Sequence, residues 1–230
     1  ELCYDEVREV RFSDGEKKLI GYSGEYTGRA LIVATGAKKR TLGIPGEAEL
    51  AGSGVSYCAT CDGGFFKGRE VAVVGGGNTA LEDALYLSNL CRKVTLIHRR
   101  DSFRGQAVLS AQIAARENIE VLYSTRVLRA EGGGRLEQLI LQTPQGERAL
   151  VVDGLFVAVG TVPATELFRG LLPLDESGYL EAGEDTCTGV PGVFAAGDVR
   201  RRPIKQIVTA CADGATAAQA ALSYLQEAAQ

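Results

Sequence analysis

Short, unbroken apolar runs that stop at glycine set the rhythm of this chain. Ala30-Leu31-Ile32-Val33-Ala34-Thr35-Gly36 is echoed by Gly154-Leu155-Phe156-Val157-Ala158-Val159-Gly160, and Arg69 to Val74 runs into Gly75-Gly76-Gly77. Runs of this length, rich in β-branched residues and bounded by turns, predict parallel strands covered on both faces. Lys93 to His98 and Val193 to Asp198 add two more. From Asn78 to Leu90 the period becomes helical: Leu81, Ala84, Leu85 and Ser88 share one stripe, with Glu82, Asp83 and Asn89 opposite. Arg69 to His98 therefore reads as a strand–helix–strand unit.

Elsewhere the pattern predicts a helix from Ala107 to Glu117 and a strand from Ile119 to Tyr123. After the Gly132-Gly133-Gly134 turn come an alternating strand, Arg135 to Gln142, and a hairpin through Pro144 to Gly146 into Ala149 to Val152. An Ala-rich helix follows from Thr209 to Leu225. The best candidate linkers are Ala37 to Pro45 and Gly160 to Thr165, each directly after one copy of the echoed strand.

Composition narrows the function classes. A chain of 230 residues holds one large domain or two of ordinary size. Its 25 Lys and Arg against 29 Asp and Glu leave a net charge of −4, with no basic surface concentrated for nucleic acid. No apolar run approaches the length of about 18 residues that spans a bilayer, and Glu1 to Val7 lacks the basic-then-apolar form of a secretion signal. The expectation is a soluble, cytoplasmic protein without a membrane or nucleic-acid partner. The 29 glycines are roughly twice the usual share of about 7% and cluster at strand ends, as ordered turns do. No methionine occurs, even at position 1, which predicts further residues upstream of Glu1.

Gly75-x-Gly77-x-x-Ala80 fits the dinucleotide fingerprint, following a predicted strand and opening a predicted helix. Glycine permits the tight turn and lets backbone N–H groups at the helix N-terminus approach a pyrophosphate. The plain alternative is a turn in which Asn78 or Thr79 only caps a helix. The next strand ends in His98-Arg99-Arg100, with Arg104 beyond. An acid at this strand end would select NAD, whereas guanidinium groups accommodate the 2′-phosphate of NADPH. The alternative is a solvated basic cluster balanced by Asp101.

Cys58-Ala59-Thr60-Cys61 could be half a zinc site, a redox pair or two structural thiols. Zinc needs four ligands, and the chain has no second C-x-x-C and one histidine, His98. Redox use remains, with Asp62 the nearest proton donor or acceptor for thiol exchange; a turn-forming Asp before Gly63-Gly64 is the plainer reading. Hydride does not usually attack a disulfide directly, and a flavin solves that mismatch by accepting hydride and passing electrons to sulfur. Weak flavin signals are Gly197-Asp198, suited to a ribityl hydroxyl, and the helix after Lys205-Gln206-Ile207, whose positive end suits the N1–C2=O edge of reduced flavin.

Together, Cys58-Ala59-Thr60-Cys61-Asp62-Gly63, Gly75-Gly76-Gly77-Asn78-Thr79-Ala80, His98-Arg99-Arg100-Asp101-x-Phe103-Arg104 and Phe194-Ala195-Ala196-Gly197-Asp198, in this order, closely resemble low-molecular-weight, bacterial-type thioredoxin reductase over the whole chain. Glutathione-reductase-like relatives instead use a wider cysteine spacing and a catalytic histidine that this chain does not have. The resemblance implies an α/β fold of two dinucleotide-binding, Rossmann-like, three-layer domains. An NADPH domain with the redox disulfide, residues 41–165, is inserted into an FAD domain made of residues 1–40 and 166–230, whose N-terminal βαβ is missing.

The resemblance also implies site roles. Cys61 faces the flavin, Cys58 attacks the thioredoxin disulfide, and Asp62 is the acid/base. Gly75, Gly77, Asn78, Thr79, His98, Arg99, Arg100 and Arg104 serve NADPH; Thr35, Gly36, Gly197, Asp198, Lys205, Gln206 and Ile207 serve FAD. Lys205 stands where many members have arginine. Thioredoxin is the implied partner, and the full-length protein is a homodimer. The nearest competing enzyme is the reductase component of a peroxiredoxin (alkyl hydroperoxide) system, against which the short Ala59-Thr60 spacer argues. From another class comes a non-catalytic NADPH-binding fragment or sensor, and bound flavin would separate it from an enzyme.

Overall fold

The computed structural model describes residues 1–13 and 15–228. Two compact units divide the chain, Glu1–Lys38 with Thr161–Gln230 and Lys39–Gly160. The division falls at Lys39 rather than 41 and at Gly160 rather than 165.

The first unit begins with an antiparallel meander of β1 (Val7–Ser13), β2 (Glu16–Gly21) and β3 (Glu25–Gly28), followed by β4 (Leu31–Val33) and the short β5 (Ala37–Lys39). The sequence pattern misses this meander because charged side chains crowd its outer face, while Val10 is buried on the inner one.

In the second unit the chain forms β6 (Val55–Ser56), α1 (Ala59–Asp62), β7 (Glu70–Gly75), α2 (Asn78–Ser88) and β8 (Lys93–Ile97). It continues through α3 (Ala107–Ala114), β9 (Ile119–Leu122), β10 (Arg126–Glu131), β11 (Gln138–Thr143), β12 (Gly146–Val151) and β13 (Gly154–Ala158). Five of these strands make a parallel sheet in the order β6-β13-β7-β8-β9. The period-2 alternation of β7 explains both of its faces. Val71 and Val73 pack with Leu81, Ala84 and Leu87 of α2 and Ile113 of α3, whereas Ala72 packs with Leu139 and Leu141 of the β10–β12 meander. The unit is thus three layers: helices, parallel sheet, antiparallel sheet.

The chain then returns to the first unit through β14 (Thr161–Pro163), β15 (Val193–Ala195) and α4 (Ile207–Glu227). β15 pairs in parallel with β4, Phe194 opposite Ile32. The same layering recurs in miniature. Val193 and Ala195 join a cluster with Val10, Phe168 and Leu180, while Phe194 and Ala196 face Ala217 and Ala221 of α4.

Several elements are shorter than the apolar pattern predicts. α3 stops at Ala114, and β11 starts at Gln138 because the preceding residues turn, with Leu136 N–H bonded to Ser53 O at 2.8 Å. The run Val193 to Asp198 stops as a strand at Ala195, because Gly197 has φ +76° and opens a 3-10 turn over Gly197–Val199. β10 carries no signal strong enough to read from the sequence.

Candidate active site

Functional groups in open parallel sheets gather beyond the carboxyl ends of the strands. In the second unit β7 ends in the Gly75–Gly77 turn, and each glycine has its own reason. A Cβ on Gly75 would lie 2.5 Å from both the Ala158 carbonyl oxygen and the Ala80 methyl, so this glycine lets helix and strand pack closely. On Gly76 it would strike the His98 ring at 2.2 Å. On Gly77 it would meet nothing within 4 Å, which leaves open space in front of the N-terminus of α2. Gly77 itself is the N-cap in an extended conformation, and no side-chain cap is found among the described residues. Asn78 and Thr79 are exposed, and Asn78 Oδ1 accepts from Gln106 N–H at 2.8 Å.

The basic loop is clipped to this turn. The Gly76 carbonyl accepts the N–H groups of Arg104 at 2.8 Å and Gly105 at 3.2 Å. His98 is buried, its Nε2 3.0 Å from the Ser102 carbonyl and its ring beside Phe103. It braces the loop from beneath rather than facing solvent. Arg99, Arg100 and Arg104 are exposed, and none of them has an ion-pair partner among the described residues. Asp101 accepts instead from the Ser102 hydroxyl at 3.0 Å.

At the end of β6 in the same sheet, Cys58 and Cys61 form a disulfide across α1, with Cα atoms 5.3 Å apart. Cys58 is the N-cap, and the Cys61 N–H donates to its Sγ at 3.3 Å. Cys61 is the more exposed of the two. The Ser56 hydroxyl donates to Asp62 Oδ2 at 2.7 Å and accepts from Cys58 N–H at 3.1 Å. Next to the pair, the Tyr57 hydroxyl donates to buried Glu47 at 3.0 Å; burial and this carboxylate push the Tyr57 pKa up to about 12. Glu47 also accepts the N–H groups of Leu42 and Gly43 at 2.9 and 2.8 Å, fixing that turn.

In the first unit, parallel pairing of β4 with β15 brings Thr35-Gly36 and Gly197-Asp198 to the same end of the sheet. Gly197 also lies against Ala210 in the first turns of α4, so the Gln206-Ile207 end joins them. Thr35 Oγ1 donates to the Ala164 carbonyl at 2.6 Å. Lys205 lies over the Tyr179 ring, 3.3 Å from its centroid, and the Tyr179 hydroxyl is hydrogen-bonded to Thr161. Asp198 Oδ1 is buried with no hydrogen-bond partner among the described residues.

A buried ion cluster that the sequence does not announce holds this region. Asp213, on α4, accepts from Arg200 Nε at 2.8 Å and Nη2 at 2.9 Å, from Arg202 Nη1 at 2.5 Å and from Gly197 N–H at 3.0 Å. The Arg200 hydrogen bond, with Gly197 N–H and the charge of Arg202, holds the Asp213 carboxyl below its ordinary range despite burial. Arg200 and Asp213 are missed because arginine after a Gly-Asp turn and aspartate in an Ala-rich helix both read as surface. Ser56 and Glu47 are missed for want of any motif.

The chain matches the family model described as pyridine nucleotide-disulphide oxidoreductase over residues 4–214. A thioredoxin reductase of Listeria innocua serovar 6a is 43% identical over 230 residues, covering 99% of this chain and 72% of that protein. One from Bacillus subtilis is 41% identical, covering 99% and 73%. The crystal structure of thioredoxin reductase from Streptococcus pyogenes superposes with a TM-score of 0.92 at 35% identity, over 97% of this chain and 74% of that one. The chain belongs to the thioredoxin reductase family of pyridine nucleotide-disulphide oxidoreductases, NADPH-dependent enzymes that use FAD to reduce a disulfide.

Proposed function

We propose that the second unit supplies the NADPH site and the redox pair, that the first supplies the FAD site, and that thioredoxin is the disulfide substrate. The observation that carries this reading is the Cys58–Cys61 disulfide beyond β6, at the same end of one parallel sheet as the open glycine turn beyond β7.

The residues present fit NADPH and the ribityl-flavin end of FAD. The open space at Gly77 and the N-terminus of α2 suit a pyrophosphate, with Asn78 and Thr79 beside it. Three unpaired guanidinium groups, Arg99, Arg100 and Arg104, suit the 2′-phosphate, with His98 as their support. The orphaned, buried Asp198 Oδ1 suits a ribityl hydroxyl, with Thr35, Gly36, Gly197, Lys205, Gln206 and Ile207 around it. FAD, when bound, accepts hydride from the nicotinamide and gives electrons to sulfur one pair at a time.

Within the redox pair, Cys58 is the sulfur that attacks thioredoxin. The Cys61 N–H aimed at Cys58 Sγ stabilises negative charge there once the bond is reduced. Cys61 is the sulfur on the electron-receiving side, and Asp62 takes and returns the proton. A homodimer and a cytoplasmic setting belong to the same reading, supported by the family resemblance. No helix among the described residues is long and apolar enough to cross a membrane.

The roles separate in a trapping experiment with the chain and oxidised thioredoxin. The Cys58 thiolate of a Cys61→Ser variant should bond to a thioredoxin sulfur as the thioredoxin disulfide breaks, and mass spectrometry should detect the mixed disulfide. Cys58→Ser should trap far less. Trapping by Cys58→Ser in preference would reverse the two roles.

A further inference from the structure

Ser56 lies at the end of β6, opposite Phe156 of β13 and almost fully buried. Its single hydroxyl proton has two acceptors in reach, Asp62 Oδ2 at 2.7 Å and the Cys58 carbonyl at 3.4 Å. The shorter, charge-assisted contact takes the proton. The lone pairs of the same oxygen receive Cys58 N–H at 3.1 Å. Asp62 is reached by α1, its own N–H bonded to Cys58 O at 3.1 Å, and its side chain has no other partner among the described residues. One hydroxyl therefore fixes both the backbone of the attacking cysteine and one oxygen of the carboxylate. The second oxygen, Oδ1, has no hydrogen-bond partner among the described residues.

We propose that Ser56 is the positioning residue of this redox centre: it holds Asp62 by Oδ2 and ties it to Cys58, so that carboxylate and sulfur keep one geometry through the exchange. The proposal rests on the reading of Asp62 as the acid/base. Ser56 can serve either protonation state. While Asp62 is ionised the hydroxyl donates to it; once Asp62 carries a proton, that O–H can donate back to Ser56 Oγ as the hydroxyl turns to the Cys58 carbonyl. A side chain without a hydroxyl can do neither, and it also removes the acceptor of the part-buried Cys58 N–H.

The test needs no flavin. The oxidised chain is reduced by dithiothreitol, quenched with iodoacetamide, and scored for alkylation of the Cys58–Cys61 peptide. One dithiol sulfur bonds to a cysteine as the Cys58–Cys61 bond breaks, and the departing sulfur takes the electron pair and a proton delivered by Asp62. The second dithiol sulfur then closes the reagent's ring and releases the other cysteine. Two electrons and two protons pass from dithiol to protein in all.

Asp62→Asn should slow this reduction by about a hundredfold, the scale of general acid–base assistance. Ser56→Ala should slow it by about tenfold, the scale of one charge-assisted hydrogen bond. Ser56→Thr, which keeps the hydroxyl, should stay within about twofold of the parent. On a Ser56→Ala background, Asp62→Asn should cost only about a further tenfold, because the carboxylate is already misplaced. NADPH binding, read by its fluorescence, should be equal in all variants and so reports the fold. A normal rate in Ser56→Ala with a slow Asp62→Asn overturns the proposal, as does a full hundredfold loss on top of Ser56→Ala. A normal rate in Asp62→Asn overturns the underlying reading of Asp62 instead.

Discussion

The two units use the same layering around apolar clusters, but among the described residues only the first sets a buried ion cluster behind its parallel sheet. In the second unit the central strands β7 and β8 are sealed by apolar side chains on both faces, with Val71, Ala72, Val73, Val94, Leu96 and Ile97 wholly buried. In the first unit the parallel sheet is two strands wide. The turn that follows it is held by a buried guanidinium–carboxylate cluster, Arg200 1% and Asp213 4% exposed. Apolar burial is non-directional and tolerant, whereas a buried ion pair is unforgiving once one partner is removed. The second unit should therefore be robust to charge changes, and the first unit brittle to them.

The largest effect should follow from Asp213→Ala. It leaves Arg200 buried without its bidentate partner, a loss of about 3–5 kcal/mol, and it frees the Gly197 turn. Limited proteolysis and thermal melting should show the first unit opening while NADPH binding by the second is retained. Loss of both together would mean that the units do not differ in the way described. The same pair sets an acid dependence. The folded pKa of Asp213 is lowered, so its contribution is complete above the ordinary value of 3.8 and is lost as pH falls through the lower folded value. Asp213→Asn should flatten the acid limb of the first unit's stability and leave that of the second unchanged.

A smaller and sharper contrast lies within the second unit, between adjacent glycines. Gly76→Ala drives a methyl into the His98 ring and should cost about 1–3 kcal/mol of stability. Gly77→Ala projects into open space and should leave the melting temperature unchanged while weakening NADPH at least about tenfold, because the methyl occupies the pyrophosphate's approach. Melting curves and NADPH titrations of the two variants check this. Equal effects of both substitutions on binding and stability would remove the distinction between a packing glycine and a ligand-facing one.

What was legible in the sequence follows the same divide. Strand–helix–strand from Arg69 to His98 is readable because unbroken apolar strands and a 3.6-residue stripe are strong local signals. The glycine fingerprint and the C-x-x-C are readable because their spacing is local too. The β1–β3 meander hides because exposed Arg8, Glu9 and Arg11 break up the apolar pattern around Val10. Arg200, Asp213, Glu47 and Ser56 act through partners that only folding brings together: 13 residues separate Arg200 from Asp213, and six separate Ser56 from Asp62. Charge and hydroxyl groups at such positions look like surface until their burial is seen.

We infer that the second unit selects NADPH by the exposed arginines that follow β8. Titration of NADPH and NADH against the chain and its Arg99→Ala and Arg100→Ala variants tests it directly. Each substitution should weaken NADPH by about ten- to a hundredfold, the loss of one charge-assisted contact to the 2′-phosphate, and leave NADH nearly unchanged. Equal losses for both dinucleotides, or none for either, would contradict it.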